Sequence, residues 1–288
     1  MNISNLKDSN RKISELINGN KPFSLVRLGV GAEHDIVFEY LLSNKINKKF
    51  FNIGVNLNGI YDTTSNIKIF ELFCKMTDQS IGSADMMASF INFQSMISKQ
   101  NFFSQKYNLP QIHSRSLEPF YVMMEGEIPW THHLKGKKVL IINPFVDTFQ
   151  KQLANKFQIF KDKKIFLDDQ EFVFYKSYQT IAGNHIHKNW LETFTIMCKD
   201  IEKLDFDVAL LGCGGYGLPL CDFIKTKLNK SAIYVGGGLQ LLFGVMGRRW
   251  ENNEMWRKII YENNSKFIRP SADENCSNNY TIEGGCYW

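Results

Sequence analysis

Two glycine-bearing turns and a pair of arginines are the parts of this sequence best suited to hold an anionic ligand. The first turn, 27-RLGVGAEHD-35, joins an apolar run to a helical pattern and brings together Arg27, Gly29, Gly31, Glu33 and Asp35. Glycine lets a backbone approach a ligand closely, and a carboxylate can bind a divalent ion, accept from a substrate or take a proton. Acids at a helix start also simply favour the positive end of its dipole. The second turn sets Gly212, Gly214 and Gly217 in G-x-G-x-x-G spacing, with Gly215 and Tyr216 inside it. A helix N-terminus after such a turn offers unpaired N–H groups to a diphosphate, and the competing reading is a tight turn with no ligand. The next apolar run ends in Gly236, Gly237 and Gly238, followed by Gln240, Arg248 and Arg249. Gln240 offers a donor and an acceptor, and two guanidinium groups suit phosphate oxygens, although either arginine could equally pair with a surface carboxylate.

Smaller signals surround these turns. Asn143 stands at a strand end before Pro144, where it either meets a ligand or caps a turn. Gln179 and Asn184 flank 180-TIAG-183 and could bond sugar hydroxyls or satisfy a loop. Glu274 and Glu283 in the tail are candidate general bases, with Glu283 favoured because Gly284 and Gly285 adjoin it. His185 and His187 form an H-x-H without a third ligand, so a loop or surface role is expected, and His132 and His133 carry a weak pocket signal.

The elements that must position these groups alternate. Strand patterns are read at 23–28, 49–56, 139–142, 163–167, 171–177, 207–212 and 231–237. Helical patterns are read at 9–18, 36–42, 66–76, 147–157, 188–203 and after residue 217, with another opening at 239–246. Residues 79–90 mix turn and strand signals, 105–135 reads as an irregular connector, and the tail 262–288 is expected to pack on the domain. Strand–helix alternation implies an α/β fold with a mostly parallel, Rossmann-like sheet flanked by helices. A length of 288 residues allows one domain, or two lobes near 1–130 and 131–288.

Composition narrows the function classes. Charged residues are 22%, apolar residues 44%, and the net charge is +5 without a dense basic tract, so no nucleic-acid partner is expected. The mild excess suits an anionic substrate or a peripheral approach to an anionic membrane. The longest apolar runs are too short to span a bilayer, the start is polar with no signal-peptide core, and none of the six cysteines forms a C-x-x-C pair. The expectation is a cytoplasmic protein with reduced cysteines, Cys198 and Cys221 in the core.

The runs 136-GKKVLIINPF-145, 179-QTIAGN-184, 210-LLGCGGYGLPL-220, 236-GGGLQLLFGVMGRRW-250 and 283-EGGCYW-288 together resemble the GT-D-like glycosyltransferase group of bacterial and viral proteins. The resemblance runs from about residue 23 to the end. It implies transfer of a sugar from a nucleotide-diphosphate sugar to a glycan or glycoprotein acceptor, in surface polysaccharide or glycan synthesis. It also implies that the opening turn corresponds to an Arg-x-Gly-Asp-Gly-Glu turn whose acids hold the donor with a divalent metal. Here Arg27, Gly29, Gly31 and Glu33 match in type, Val30 replaces the Asp, and Ala32 is inserted. Glu33 is then the one remaining metal or catalytic carboxylate, with Asp35 as a possible second acid. Magnesium or manganese and metal-independent transfer stand as equal expectations. Two other readings remain: an NAD-type enzyme built on Gly212–Gly217, and a non-catalytic glycan-binding or assembly protein. Against the first, 236-GGG-238 stands where an acid for the ribose is expected.

Overall fold

The computed structural model describes residues 3–29, 33–92 and 94–288. Seven short strands form one sheet: β1 (Ser24–Arg27), β2 (Met86–Ser89), β3 (Gln111–His113), β4 (Lys138–Asn143), β5 (Glu171–Lys176), β6 (Val208–Leu211) and β7 (Ser231–Tyr234). Their order is β3-β2-β1-β7-β6-β4-β5, and every pairing is parallel. Strands from both halves of the chain therefore share one sheet, joined where β1 pairs with β7.

Alternation along each strand divides the core into two layers. Leu25, Ala88, Val139, Ile141, Leu210 and Ile233 face one apolar cluster. Val26, Met87, Leu140, Ile142, Ala209, Leu211 and Ala232 face the other. Both faces are covered by helices, as a parallel sheet requires. The helices Ile67–Gly82, Trp190–Ile201 and Gly217–Thr226 contribute Phe70, Phe73, Trp190, Met197 and Leu220 to the second layer. Leu6–Asn18 and Val146–Ala154 contribute Ile13, Ile17 and Phe149 to the first. The helix Leu6–Asn18 begins at Asn5, whose side chain accepts from the Asp8 N–H, and ends at Gly19.

Three expectations are corrected. Residues 49–56 are not a strand: Lys48–Ile53 is helical and continues into a wider helical turn, Gly54–Asn58. Aromatic and β-branched content mimicked a strand there, but Phe51 stacks on Phe70 with ring centroids 4.1 Å apart, so tertiary packing decides. Residues 163–167 form no strand either, because side chains take their backbone acceptors. His132 Nε2 bonds the Lys164 carbonyl at 2.7 Å, and the Thr131 hydroxyl donates to the Ile165 carbonyl. Within 105–135, read as irregular, lie the edge strand β3 and short helical turns at Ser114–Leu117, Phe120–Met124 and Trp130–Leu134. Among the described residues no helix is long and apolar enough to cross a membrane, and the six cysteines are free, with Cys198 and Cys221 buried.

Candidate active site

A cleft of about 450 Å³ opens over the carboxyl edge of the sheet. Its wall is built from the residues that end or follow each strand, the region where α/β sheets bind ligands. From β1 come Arg27 and Gly29, from β4 Asn143 and Phe145, from β5 Ser177 to Ile181, from β6 Gly212 to Gly214, and from β7 Val235 to Gly238. Phe90 follows β2, and Ser114, Arg115 and Glu118 follow β3. The tail closes the cleft with Ile282, Glu283, Tyr287 and Trp288.

Of the residues singled out from sequence, Arg27, Gly29, Asn143, Gln179, Gly212, Gly214, Tyr216, Gly236, Gly237, Gly238, Gln240, Arg249 and Glu283 reach this wall. Glu33, Asp35, Asn184, Gly215, Gly217 and Arg248 do not. Asp35 pairs with Lys99. Asn184 Nδ2 donates to the carbonyls of Ile181 and Ser277, tying a loop to the tail, and Arg248 donates to the Gly284 carbonyl at 3.1 Å. Gly31, together with Val30 and Ala32, lies outside the described residues. His187 bonds the Thr193 hydroxyl at 3.0 Å and His185 is exposed, in line with loop roles.

Arg27 is the charged centre of the cleft. Its guanidinium carbon lies 5.4 Å from the Phe90 ring centroid and 5.9 Å from that of Tyr234, and its Nε is buried without a hydrogen-bond partner. No carboxylate pairs with it among the described residues. A side chain at Gly236, which has φ +77°, would collide with this guanidinium. The neighbouring glycines have analogous reasons: a Cβ at Gly237 would sit 2.6 Å from the Tyr287 ring, and one at Gly238 would overlap the Glu118 carboxylate. The three consecutive glycines thus seat three side chains in the wall.

The G-x-G-x-x-G turn is similarly occupied by its own protein. A Cβ at Gly212 would stand 2.7 Å from the Gly236 carbonyl oxygen, and one at Gly215 2.7 Å from that of Asn58. Gly217 lies against the Tyr234 ring, and the Tyr234 hydroxyl donates to the Gly214 carbonyl at 3.0 Å. Asn143 Nδ2 donates to the Gly212 carbonyl at 2.8 Å and its Oδ1 accepts from the Phe145 N–H at 2.9 Å, so Asn143 caps its own turn. These contacts lock β4, β6 and β7 together at their carboxyl ends.

Glu33 and His34 grip the peptide groups of Gly29. Glu33 Oε2 accepts from the Gly29 N–H, and His34 Nδ1 bonds the Gly29 carbonyl at 2.6 Å. Both side chains are buried, and Glu33 Oε1 has no partner among the described residues. Burial pushes the Glu33 carboxyl up to about 7, opposed by the Gly29 hydrogen bond and the charge of Arg27. Burial likewise holds His34 below the usual imidazole range, so a neutral ring donates to the carbonyl.

A magnesium ion implied by the resemblance would need one or two protein carboxylates, with a diphosphate and waters supplying the other oxygens. Glu33 offers one free oxygen, in a setting that disfavours its ionised form, and Asp35 is already paired. Among the described residues no three His, Cys, Asp or Glu side chains gather as a metal group. Among the described residues these donors do not by themselves hold a divalent ion.

Sequence reasoning missed Arg115 and Glu118, which sit in the turn Ser114–Leu117 and just after it. The sequence offered little local signal, since β3 before them is Gln-Ile-His with one apolar residue. The tail also differs from expectation. Glu274 is no general base: it is fully buried and accepts from the N–H groups of Asp147 and Thr148 at 2.9 and 3.2 Å, and from the hydroxyls of Thr148 and Ser271. It caps the helix Val146–Ala154, while its carbonyl receives Gln179 Nε2 at 2.6 Å and Trp288 Nε1 at 3.3 Å. Glu283 is held by Arg249 at 2.5 Å. Glu274→Ala is expected to destabilise the fold by about 3 kcal/mol in urea unfolding, since it strands buried donors.

No curated protein matches the chain. The GT-D-like family, described as a GT-D fold-like domain, matches residues 5–242, which include all seven strands and most of the cleft wall. The chain therefore belongs to the GT-D-like family and carries its glycosyltransferase-related fold.

Proposed function

We propose that the protein is a glycosyltransferase that takes a sugar from a nucleotide-diphosphate sugar and passes it to a glycan or glycoprotein acceptor. The observation that carries this reading is Arg27: a cation on the wall of a strand-end cleft, with a buried Nε and, among the described residues, no carboxylate paired to it. A buried guanidinium N–H without a partner, on a cation that faces a cleft, suits an anionic ligand. Arg115 and Arg249 line the same cleft, which suits two phosphates better than one carboxylate.

Apart from Glu118 and Glu283, the rest of the described wall is neutral. Asn58 Oδ1, Ser177 Oγ and Gln179 Oε1 are buried polar atoms without partners. The bond from Gln179 Nε2 to the Glu274 carbonyl fixes the orientation of that amide, leaving Oε1 as an acceptor. Ligand hydroxyls or base N–H groups would satisfy these atoms, as a nucleoside does. In the reaction the acceptor hydroxyl attacks the anomeric carbon, the carbon–oxygen bond to the diphosphate breaks, and the leaving diphosphate takes the electron pair and, directly or through solvent, the hydroxyl proton. The arginines stabilise that growing charge, and the enclosed cleft strengthens the effect. On this reading the work is cytoplasmic, and the net charge of +5 suits a peripheral approach to an anionic surface bearing the acceptor.

The test is a thermal-shift screen of uridine, guanosine, thymidine and cytidine diphosphate sugars, with manganese and with EDTA. A nucleotide sugar that binds the native state raises the Tm by mass action, and the shift is expected to survive EDTA. No shift with any donor, alongside a shift with NADH, would overturn the reading in favour of a dinucleotide cofactor.

A further inference from the structure

Among the described residues the cleft wall contains no Asp, His or Lys, and its carboxylates are Glu118 and Glu283. Glu283 is more than half exposed and committed to Arg249. Glu118 differs in burial and in the length of its arginine contact. Its side chain is only 15% exposed, and its Oε2 accepts from Arg115 Nη1 at 3.3 Å, a long contact. No other donor reaches the carboxylate among the described residues, although an ionised carboxylate can accept about four hydrogen bonds. Gly238 is what makes room for it, since any side chain there would overlap Oε1 and press within 2.8 Å of Cδ and Cγ.

The position of this acid is unusual for an anion site. It stands in a cleft lined by three arginines and would repel a bare phosphate. A ligand that brings an anion and hydroxyl donors a few ångströms apart satisfies both: the arginines take the charge and the carboxylate takes the hydroxyls. A sugar linked to a phosphate has this chemistry. We infer that Glu118 is the residue that reads the transferred sugar, accepting hydrogen bonds from its hydroxyls beside the arginine-bound diphosphate. Glu118 then distinguishes the sugar-bearing donor from the spent nucleoside diphosphate, and its charge favours release of the product. This inference rests on the glycosyltransferase reading. Burial raises the Glu118 carboxyl above its ordinary range, and the charges of Arg115, Arg27 and Arg249 oppose that rise.

Calorimetric titration tests it on the full chain, using uridine diphosphate against uridine diphosphate glucose and guanosine diphosphate against guanosine diphosphate mannose. The native protein is expected to prefer one sugar-bearing form over its diphosphate. Glu118→Gln and Glu118→Ala are expected to lose on the order of ten- to a hundredfold in affinity for that nucleotide sugar, the worth of hydrogen bonds to a charged acceptor. Affinity for the matching diphosphate should be unchanged or higher. Equal weakening of both ligands would mark Glu118 as merely structural and overturn the inference. So would unchanged binding of the nucleotide sugar with loss of turnover, which would make Glu118 a base instead. If native protein binds the diphosphate without preference for its sugar, the Glu118 inference alone falls. If it binds neither ligand of either pair, the glycosyltransferase reading falls with it.

Discussion

Arg27→Met is expected to lower kcat/KM for the nucleotide-sugar donor by about two to three orders of magnitude, the usual loss when a preorganised donor to a developing anion is removed. Stability should barely move, because among the described residues the guanidinium makes no ion pair that the substitution would break. Methionine can lie along the same path between Phe90 and Gly236. Steady-state kinetics with the donor identified by thermal shift, beside a urea melt of both proteins, separates the two effects. A variant that keeps near-native kcat/KM would remove Arg27 from the leaving-group site.

The second large effect is one of stability against pH. The Glu33 carboxyl stands near 7 in the folded chain against an ordinary value of 4.5. Between those values the folded state binds more protons than the unfolded one, so stability falls as pH rises. Glu33 is thus harmless below about pH 4.5, and above pH 7 its ionised form costs about 3 kcal/mol. Glu33→Gln retains an oxygen for the Gly29 N–H and removes the titration. It is expected to be more stable than the native protein by about 2–3 kcal/mol at pH 8.5, with no advantage near pH 4.5. Urea melts at the two pH values check this, and a difference independent of pH would contradict it. Because Glu33 lies beneath Gly29 and off the cleft wall, the same variant should keep substantial transfer. A loss of about 10²-fold or more would restore Glu33 as the catalytic carboxylate.

Much of the architecture was legible before the structure. The strands at 24–27, 138–143, 208–211 and 231–234 are apolar runs ending in glycine or in Asn-Pro, and their alternation with helices already implied a parallel sheet. The strands β2 and β3 were not legible, because three or four residues buried on a parallel sheet carry no alternation to detect. The glycine turns were recognised as positions needing small residues, but the reason was not. Gly236, Gly237 and Gly238 accommodate Arg27, Tyr287 and Glu118, partners far away in sequence. No local pattern encodes a contact between residue 118 and residue 238. The opening turn illustrates both sides: its Arg27 is a cleft residue, while its Glu33 turns inward to grip Gly29 and Asp35 turns to Lys99. Val30, the main departure from the family's acidic turn, lies outside the described residues.

The most direct measurement is release of nucleoside diphosphate from a panel of nucleotide sugars, with and without a mixed glycan acceptor, by native protein and Arg27→Met side by side. The account predicts release from donors of one nucleotide, stimulated by acceptor, and a rate about 100-fold lower in the variant. No release and no binding with any donor, or release that Arg27→Met leaves intact, would contradict it.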